Sequence, residues 1–178
     1  MKISKSFKIY IHIFAIFFFA QQLFGETNYS KNMIVHKEPI EIKGIKFKDF
    51  NLNDTELTNK KGNIMILNFW ATWCVPCKKE LPDLQLLKSK LKNYKIDVLT
   101  ISIDKKNIED QLIFLSKNGA SDLTHFFDKK MEVFKALKLR GIPTTIFVDK
   151  NGHIISKYEG ILKWGEDKIT NEIIELFN

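Results

Sequence analysis

Ile64-Met65-Ile66-Leu67-Asn68-Phe69-Trp70-Ala71-Thr72-Trp73-Cys74-Val75-Pro76-Cys77 is the stretch whose reading decides the fold. It opens with a near-continuous apolar run from Ile64 to Trp70, the pattern of a central strand covered on both faces. Cys74 and Cys77 follow, and they are the only 2 cysteines in the 178 residues. Beyond them, Leu81, Leu84, Leu87 and Leu91 recur at steps of three and four, so Lys78 to Leu91 reads as an amphipathic helix with the cysteines at its first turn. Strand, C-x-x-C and helix in that order are the arrangement of a redox-active dithiol. Unpaired N–H groups and the positive end of the helix dipole favour a thiolate at Cys74, and the thiolate is the species that attacks a disulfide. Cys77, one turn further in, is placed to resolve the mixed disulfide.

Other uses of the pair fit less well. A structural zinc site wants four ligands, and the chain would have to recruit from His12, His36, His125 and His153, none spaced as a pair. A purely structural disulfide across so short a loop gains little from restricting the unfolded chain.

Length allows one well-buried domain plus a targeting segment. At the N-terminus, Lys2, Lys5 and Lys8 precede the apolar run Ile9 to Ala20, broken only by His12, and no acidic residue occurs before Glu26. The run is shorter than the roughly 20 residues that span a bilayer, and with its basic flank it reads as a signal peptide or an N-terminal membrane anchor over residues 1–25. Either reading exports the domain. Residues 26–43 read as a polar linker or extension, and residues 44–178 as the domain itself. Formal net charge is +7. The lysines are scattered in pairs such as Lys60-Lys61 and Lys129-Lys130 and form no stripe interleaved with aromatics, which gives nucleic-acid binding little support.

Along the domain, Phe47, Phe50, Leu52 and Leu57 flank Asn53-Asp54 and suggest a short hairpin. Ile96 to Ile103 reads as a second buried strand, Ile108 to Lys117 as a helix stopped by Asn118-Gly119, and Leu123 to Phe127 as a short strand. Lys130 to Leu139 reads as a helix, Thr144 to Val148 and His153 to Tyr158 as antiparallel strands, and Glu166 to Phe177 as the final helix. Strands alternating with helices predict an α/β fold with a mixed central sheet. Trp70, in strand alternation, is expected in the core.

Leu67 to Pro82, centred on Trp73-Cys74-Val75-Pro76-Cys77, resembles the active-site segment of the thioredoxin superfamily, and within it the TlpA-like and ResA-like extracytoplasmic thiol-disulfide oxidoreductases. Arg140-Gly141-Ile142-Pro143-Thr144-Thr145-Ile146-Phe147-Val148-Asp149 resembles the cis-proline loop and following strand of that group. The resemblance implies a thioredoxin-like fold, a mixed sheet flanked by helices, with an inserted helix and strand between the active-site helix and the cis-proline loop. It implies that the Ile142–Pro143 bond is cis and lies beside Cys74, so that Pro143 excludes metal-ligating residues while Ile142 and Thr144 meet an extended substrate. Trp73, Val75 and Pro76 would shape the docking surface.

Two departures from thioredoxin proper stand out. Asn68 occupies the strand position of thioredoxin's buried aspartate, so that proton acceptor is absent. Glu80 matches a helix glutamate of the TlpA-like and ResA-like proteins, and buried near Cys77 it would have a raised pKa and take the proton from that thiol.

The expected activity is that of an exported disulfide reductase, monomeric and without a cofactor or resident metal, working in the periplasm or another extracytoplasmic space, free or held to the inner membrane by its N-terminus. A membrane thiol-disulfide carrier would supply electrons, and disulfide-containing clients of cytochrome c or cytochrome oxidase assembly would receive them. Two other readings stay open: an oxidant that inserts disulfides, and a copper-binding chaperone using Cys74, Cys77 and a histidine such as His125 or His153.

Overall fold

The computed structural model describes residues 33–41, 44–56 and 62–177. These residues form strands β1 (Met33–Glu41), β2 (Lys46–Lys48), β3 (Asp54–Glu56), β4 (Ile64–Trp70), β5 (Ile96–Ser102), β6 (Thr124–Phe127), β7 (Thr144–Val148) and β8 (His153–Glu159). Four helices accompany them: α1 (Val75–Lys90), α2 (Ile108–Lys117), α3 (Glu132–Ala136) and α4 (Asp167–Phe177). The leader expected over residues 1–25 lies outside the described residues. Among those described, no helix is long and apolar enough to cross a membrane.

The strands make one mixed sheet in the order β1-β8-β7-β4-β5-β6-β2-β3. β4 sits at its centre, parallel to β5 and antiparallel to β7. From Met65 to Trp70 every β4 residue is buried, which is why the strand reads as an apolar run rather than as an alternation. β8, nearer the edge, alternates buried and half-buried residues instead. α1 lays Leu81, Leu84 and Leu87 into the core, all fully buried, and truncating any one of them to alanine would cost about 2–5 kcal/mol. The expected hairpin forms, with Lys46↔Glu56 and Lys48↔Asp54 as its outer pairs. α2 and β6 supply the helix and strand inserted between α1 and the cis-proline loop.

Two boundaries differ from the sequence reading. Residues 26–43, read as a linker or extension, contain β1, which pairs antiparallel with β8 from Met33↔Tyr158 to Glu41↔His153. Its register shifts between Val35 and Ile40. Pro39, which has no N–H for a ladder, falls in that interval, and an edge strand with an irregularity is where a proline is tolerated. The helix expected over Lys130 to Leu139 is only Glu132–Ala136, because Met131 and Lys138 adopt left-handed backbone with φ of 56° and 51°. Asp128 caps it, accepting from the N–H groups of Glu132 and Phe134 at 2.8 Å each.

Candidate active site

Cys74 follows the end of β4 and is the N-cap of α1, with extended backbone at φ −85° and ψ 99°. Its sulfur accepts from the Cys77 N–H at 3.2 Å. The cap that Ser or Asp would ordinarily supply is therefore made by the reactive atom itself, in the place where negative charge is most favoured. Pro76 stands in the first turn, where a missing N–H costs nothing. The two sulfurs are joined in a disulfide. Cys74 is 4% exposed and Cys77 is completely buried, so an approaching thiol reaches Cys74 first. Trp73 and Val75, the residues before and after Cys74 in the chain, are 65% and 67% exposed, large apolar side chains held out to solvent.

The Ile142–Pro143 peptide bond is cis. Pro143 is buried and Ile142 half-buried. The loop is held from two sides: Gly160 N donates to the Pro143 carbonyl at 2.9 Å, and Thr144 Oγ1 donates to the Gly141 carbonyl at 2.7 Å. Thr144 itself is fully buried, so its side chain secures the loop and is not offered to a partner. Ile161, next to Gly160, is exposed and adds an apolar residue to this flank.

One turn beyond Cys77 on α1, Glu80 is 1% exposed. Asn68 Nδ2 donates to Glu80 Oε1 at 2.7 Å and also to Thr145 Oγ1 at 3.0 Å, while Trp164 Nε1 donates to Glu80 Oε2 at 3.2 Å. Burial pushes the carboxyl up to about 7, against the hydrogen bonds from Asn68, Trp164 and the Leu162 backbone, which favour the charged form. Asn68 thus has a definite task in place of thioredoxin's aspartate: it holds the carboxylate that the helix supplies. Trp164 and Thr145 were not legible as partners. Trp164 lies 84 positions from Glu80, and its only local sign is a tryptophan within Gly160-Ile161-Leu162-Lys163-Trp164-Gly165.

The two histidines considered for copper are not brought to the dithiol. His125 has both ring nitrogens engaged, Nδ1 with the Thr100 hydroxyl and Nε2 with the Ala120 carbonyl at 3.1 Å, and burial pushes its pKa down to about 4. His153 pairs with Glu41 and hydrogen-bonds Asp149, near the start of β4, whereas Cys74 follows the end of that strand. No group of three or more His, Cys, Asp and Glu side chains among the described residues is arranged to hold a metal ion.

The AhpC/TSA family profile matches residues 40–157, from β1 to β8 and across both motifs. The chain belongs to this family. Within it, the AhpC/TSA-family chain is similar to the thiol-disulfide oxidoreductase ResA of Geobacillus thermodenitrificans, 31% identical over 137 residues, 73% of this chain and 75% of that one. It is also similar to ResA of Halalkalibacterium halodurans, 27% identical over 129 residues, 72% of this chain and 70% of that one. Among these ResA relatives the match spans from 59% to 75% of the relative's own length. The thioredoxin domain of a thiol-disulfide oxidoreductase from Bacteroides vulgatus has the same fold, with a TM-score of 0.64 at 24% identity over 78% of this chain and 96% of that one. The family member is a thiol-disulfide oxidoreductase of ResA type with Cys74 and Cys77 as its cysteine pair.

Proposed function

We propose that this protein is an exported reductase of client disulfides. The observation that carries the reading is a dithiol at the start of α1 with a buried carboxyl, titrating at about 7, one turn beyond the inner cysteine. In the reduced protein the Cys74 thiolate attacks one sulfur of a client disulfide, forming a Cys74–client disulfide and releasing the first client thiolate. Glu80 then takes the proton of Cys77, whose sulfur attacks Cys74; the Cys74–Cys77 disulfide forms and the second client thiolate leaves, to be protonated from solvent. Two electrons pass to the client. A membrane dithiol carrier returns them by the same exchange in reverse.

The docking half of the reading rests on Ile142. Neither of its backbone groups is paired with another backbone group among the described residues, so both are open to an extended client segment laid beside Pro143. Trp73, Val75 and Ile161 supply apolar surface around it. The basic, then apolar, sequence of residues 1–25 supports export, and the likeness to ResA thiol-disulfide oxidoreductases supports disulfide-containing clients, which we place in cytochrome c or cytochrome oxidase assembly. Trapping tests this directly: the Cys77→Ser protein, expressed in its own cells, is expected to accumulate as a mixed disulfide through Cys74 with one or few exported partners. A potential near the oxidising end, about −120 mV, would instead make the protein an inserter of disulfides.

A further inference from the structure

A groove of about 610 Å³ runs along α1 beside the dithiol, lined by Val75, Lys78, Lys79 and Pro82 on one wall and Lys117 to Gly119 at the end of α2 on the other. Its two walls meet where Gly119, at φ +66°, brings its backbone close to the Pro82 ring; a Cβ there would stand 3.8 Å from Pro82 Cβ. The lining is apolar at Val75 and Pro82 and basic at Lys78, Lys79 and Lys117. No carboxylate lines the groove, and Lys78, Lys79 and Lys117 form no ion pair among the described residues, although other lysines of this chain do, such as Lys90 with Asp167 and Lys48 with Asp54. The opposite flank of the dithiol has a different character. There Ile142 and Ile161 are apolar, and the cations that flank them in sequence are paired, Arg140 with Glu159 and Lys163 with Glu166.

We infer that this groove receives an acidic segment of the redox partner, lying next to the disulfide that Cys74 attacks. The inference rests on the reductase reading and names a property of its partner. Val75 lines the groove and directly follows Cys74, so a chain whose disulfide is at Cys74 and whose cysteine segment lies along Ile142 is led over Val75 into the three lysines. Three unpaired positive charges in a concave site complement two or three carboxylates of a peptide, and the exposed apolar surface of Val75 and Pro82 between them suits the intervening side chains. A phosphate backbone or an anionic bilayer would call for a longer basic face than one groove of this size.

The test uses the full chain in two arms. In the first, the oxidised protein is titrated with a cysteine-free peptide carrying three glutamates and with its glutamine counterpart, following the backbone amides of Lys117 to Gly119 by NMR. The acidic peptide is expected to shift those amides and to bind at least tenfold more tightly at low salt; the advantage should vanish near 1 M salt, where the Debye length is about 3 Å. Lys117→Glu should abolish the preference and Lys117→Gln should weaken it. In the second arm, the reduced protein acts on the neutral bis(2-hydroxyethyl) disulfide, where Lys117→Glu is expected to stay within about twofold of wild type while its exchange with an acidic cystine peptide slows about tenfold. Equal binding of the two peptides, shifts away from residues 117–119, or stronger binding to anionic vesicles than to the acidic peptide overturns the groove assignment. Failure of the wild-type protein to reduce the neutral disulfide overturns the reductase reading, while the first arm still decides whether the groove binds acidic peptide.

Discussion

Asp104 holds Thr72 twice: one carboxylate oxygen accepts both the Thr72 backbone N–H, at 2.9 Å, and the Thr72 hydroxyl. The other oxygen accepts from the Lys106 N–H at 3.0 Å, and Ile103 N donates to the Trp70 carbonyl. The loop that enters the dithiol is thereby bound to the loop that leaves β5. Burial raises the Asp104 pKa, but the hydrogen bonds from Thr72 and Lys106 outweigh it and hold the carboxyl below its ordinary value. Its folded-state pKa is depressed, so its contribution to stability is present above about pH 4 and is lost as pH falls further. Asp104→Ala is expected to destabilise the protein by about 2 kcal/mol, the scale for hydrogen bonds to a charged group. Urea denaturation of Asp104→Ala, Thr72→Val and the double variant should show that the two losses do not add; simple additivity would mean that the contact is energetically idle.

Glu80 and His125 pull stability in opposite directions over nearly the same pH range. Glu80 titrates at about 7 in the folded protein against an ordinary 4.5, so the folded state holds an extra proton in between and stability falls as pH rises through that window. His125 titrates at about 4 against an ordinary 6.5, so only the unfolded state is protonated there and stability falls as pH drops. Each effect is on the order of 3 kcal/mol, and between about pH 4.5 and 6.5 they nearly cancel. Glu80→Gln should therefore unmask a loss of stability on acidification, and His125→Gln should unmask a gain. Stability curves of parallel shape in all three proteins would show that neither group is shifted as the buried geometry requires.

Removing the carboxyl also bears on the reaction. Glu80→Gln is expected to slow exchange by a factor on the order of ten to a thousand, the lower part of what a positioned acid or base contributes. The resolving step should suffer most, since Cys77 is buried and does not cap the helix. Stopped-flow measurement of mixed-disulfide decay separates that step from the first attack. Unchanged decay would remove Glu80 from the proton path.

Asn68→Asp places a second carboxyl where the amide now donates to Glu80 at 2.7 Å. Two carboxyls at that distance share a proton, so the pair should titrate in two macroscopic steps with one raised above the present value of about 7. The alkaline shift of the pH–rate profile measures it, and a profile identical to wild type would mean that Asn68 does not govern the carboxyl.

In the reduced protein at neutral pH, iodoacetamide should modify Cys74 well before Cys77, because Cys74 is the more accessible of the two sulfurs and the helix cap. Peptide mapping by mass spectrometry reads the outcome, and preferential labelling of Cys77 would exchange the roles of nucleophile and resolver.

What could be read from the chain follows how local the causes are. β4, the dithiol and α1 are legible because strand burial and helix capping act within a few residues of one another. The buried carboxyl could be anticipated from Glu80's spacing to Cys77, but its partners, Asn68 on β4 and Trp164 in the loop after β8, and Thr145 on β7, which accepts from Asn68, come from separate parts of the chain and leave no periodic trace. Thr144 is set apart from its neighbour for the same reason: its hydroxyl turns to the Gly141 carbonyl while Thr145 meets Asn68. β1 escaped because Met33-Ile34-Val35-His36-Lys37-Glu38-Pro39-Ile40-Glu41 mixes apolar residues with charge and a proline, which an outermost strand tolerates and an inner one does not.

That outermost strand also determines where the protein can be cut. A fragment beginning at residue 44 would keep both cysteines, Glu80 and the cis-proline loop, yet it would uncover the outer side of β8, from His153 to Tyr158, and leave a row of backbone donors and acceptors without partners. Such an edge recruits strands from other molecules, so the shortened protein would be prone to self-association at a site remote from its chemistry. Fragments meant for solution work should therefore begin ahead of Met33.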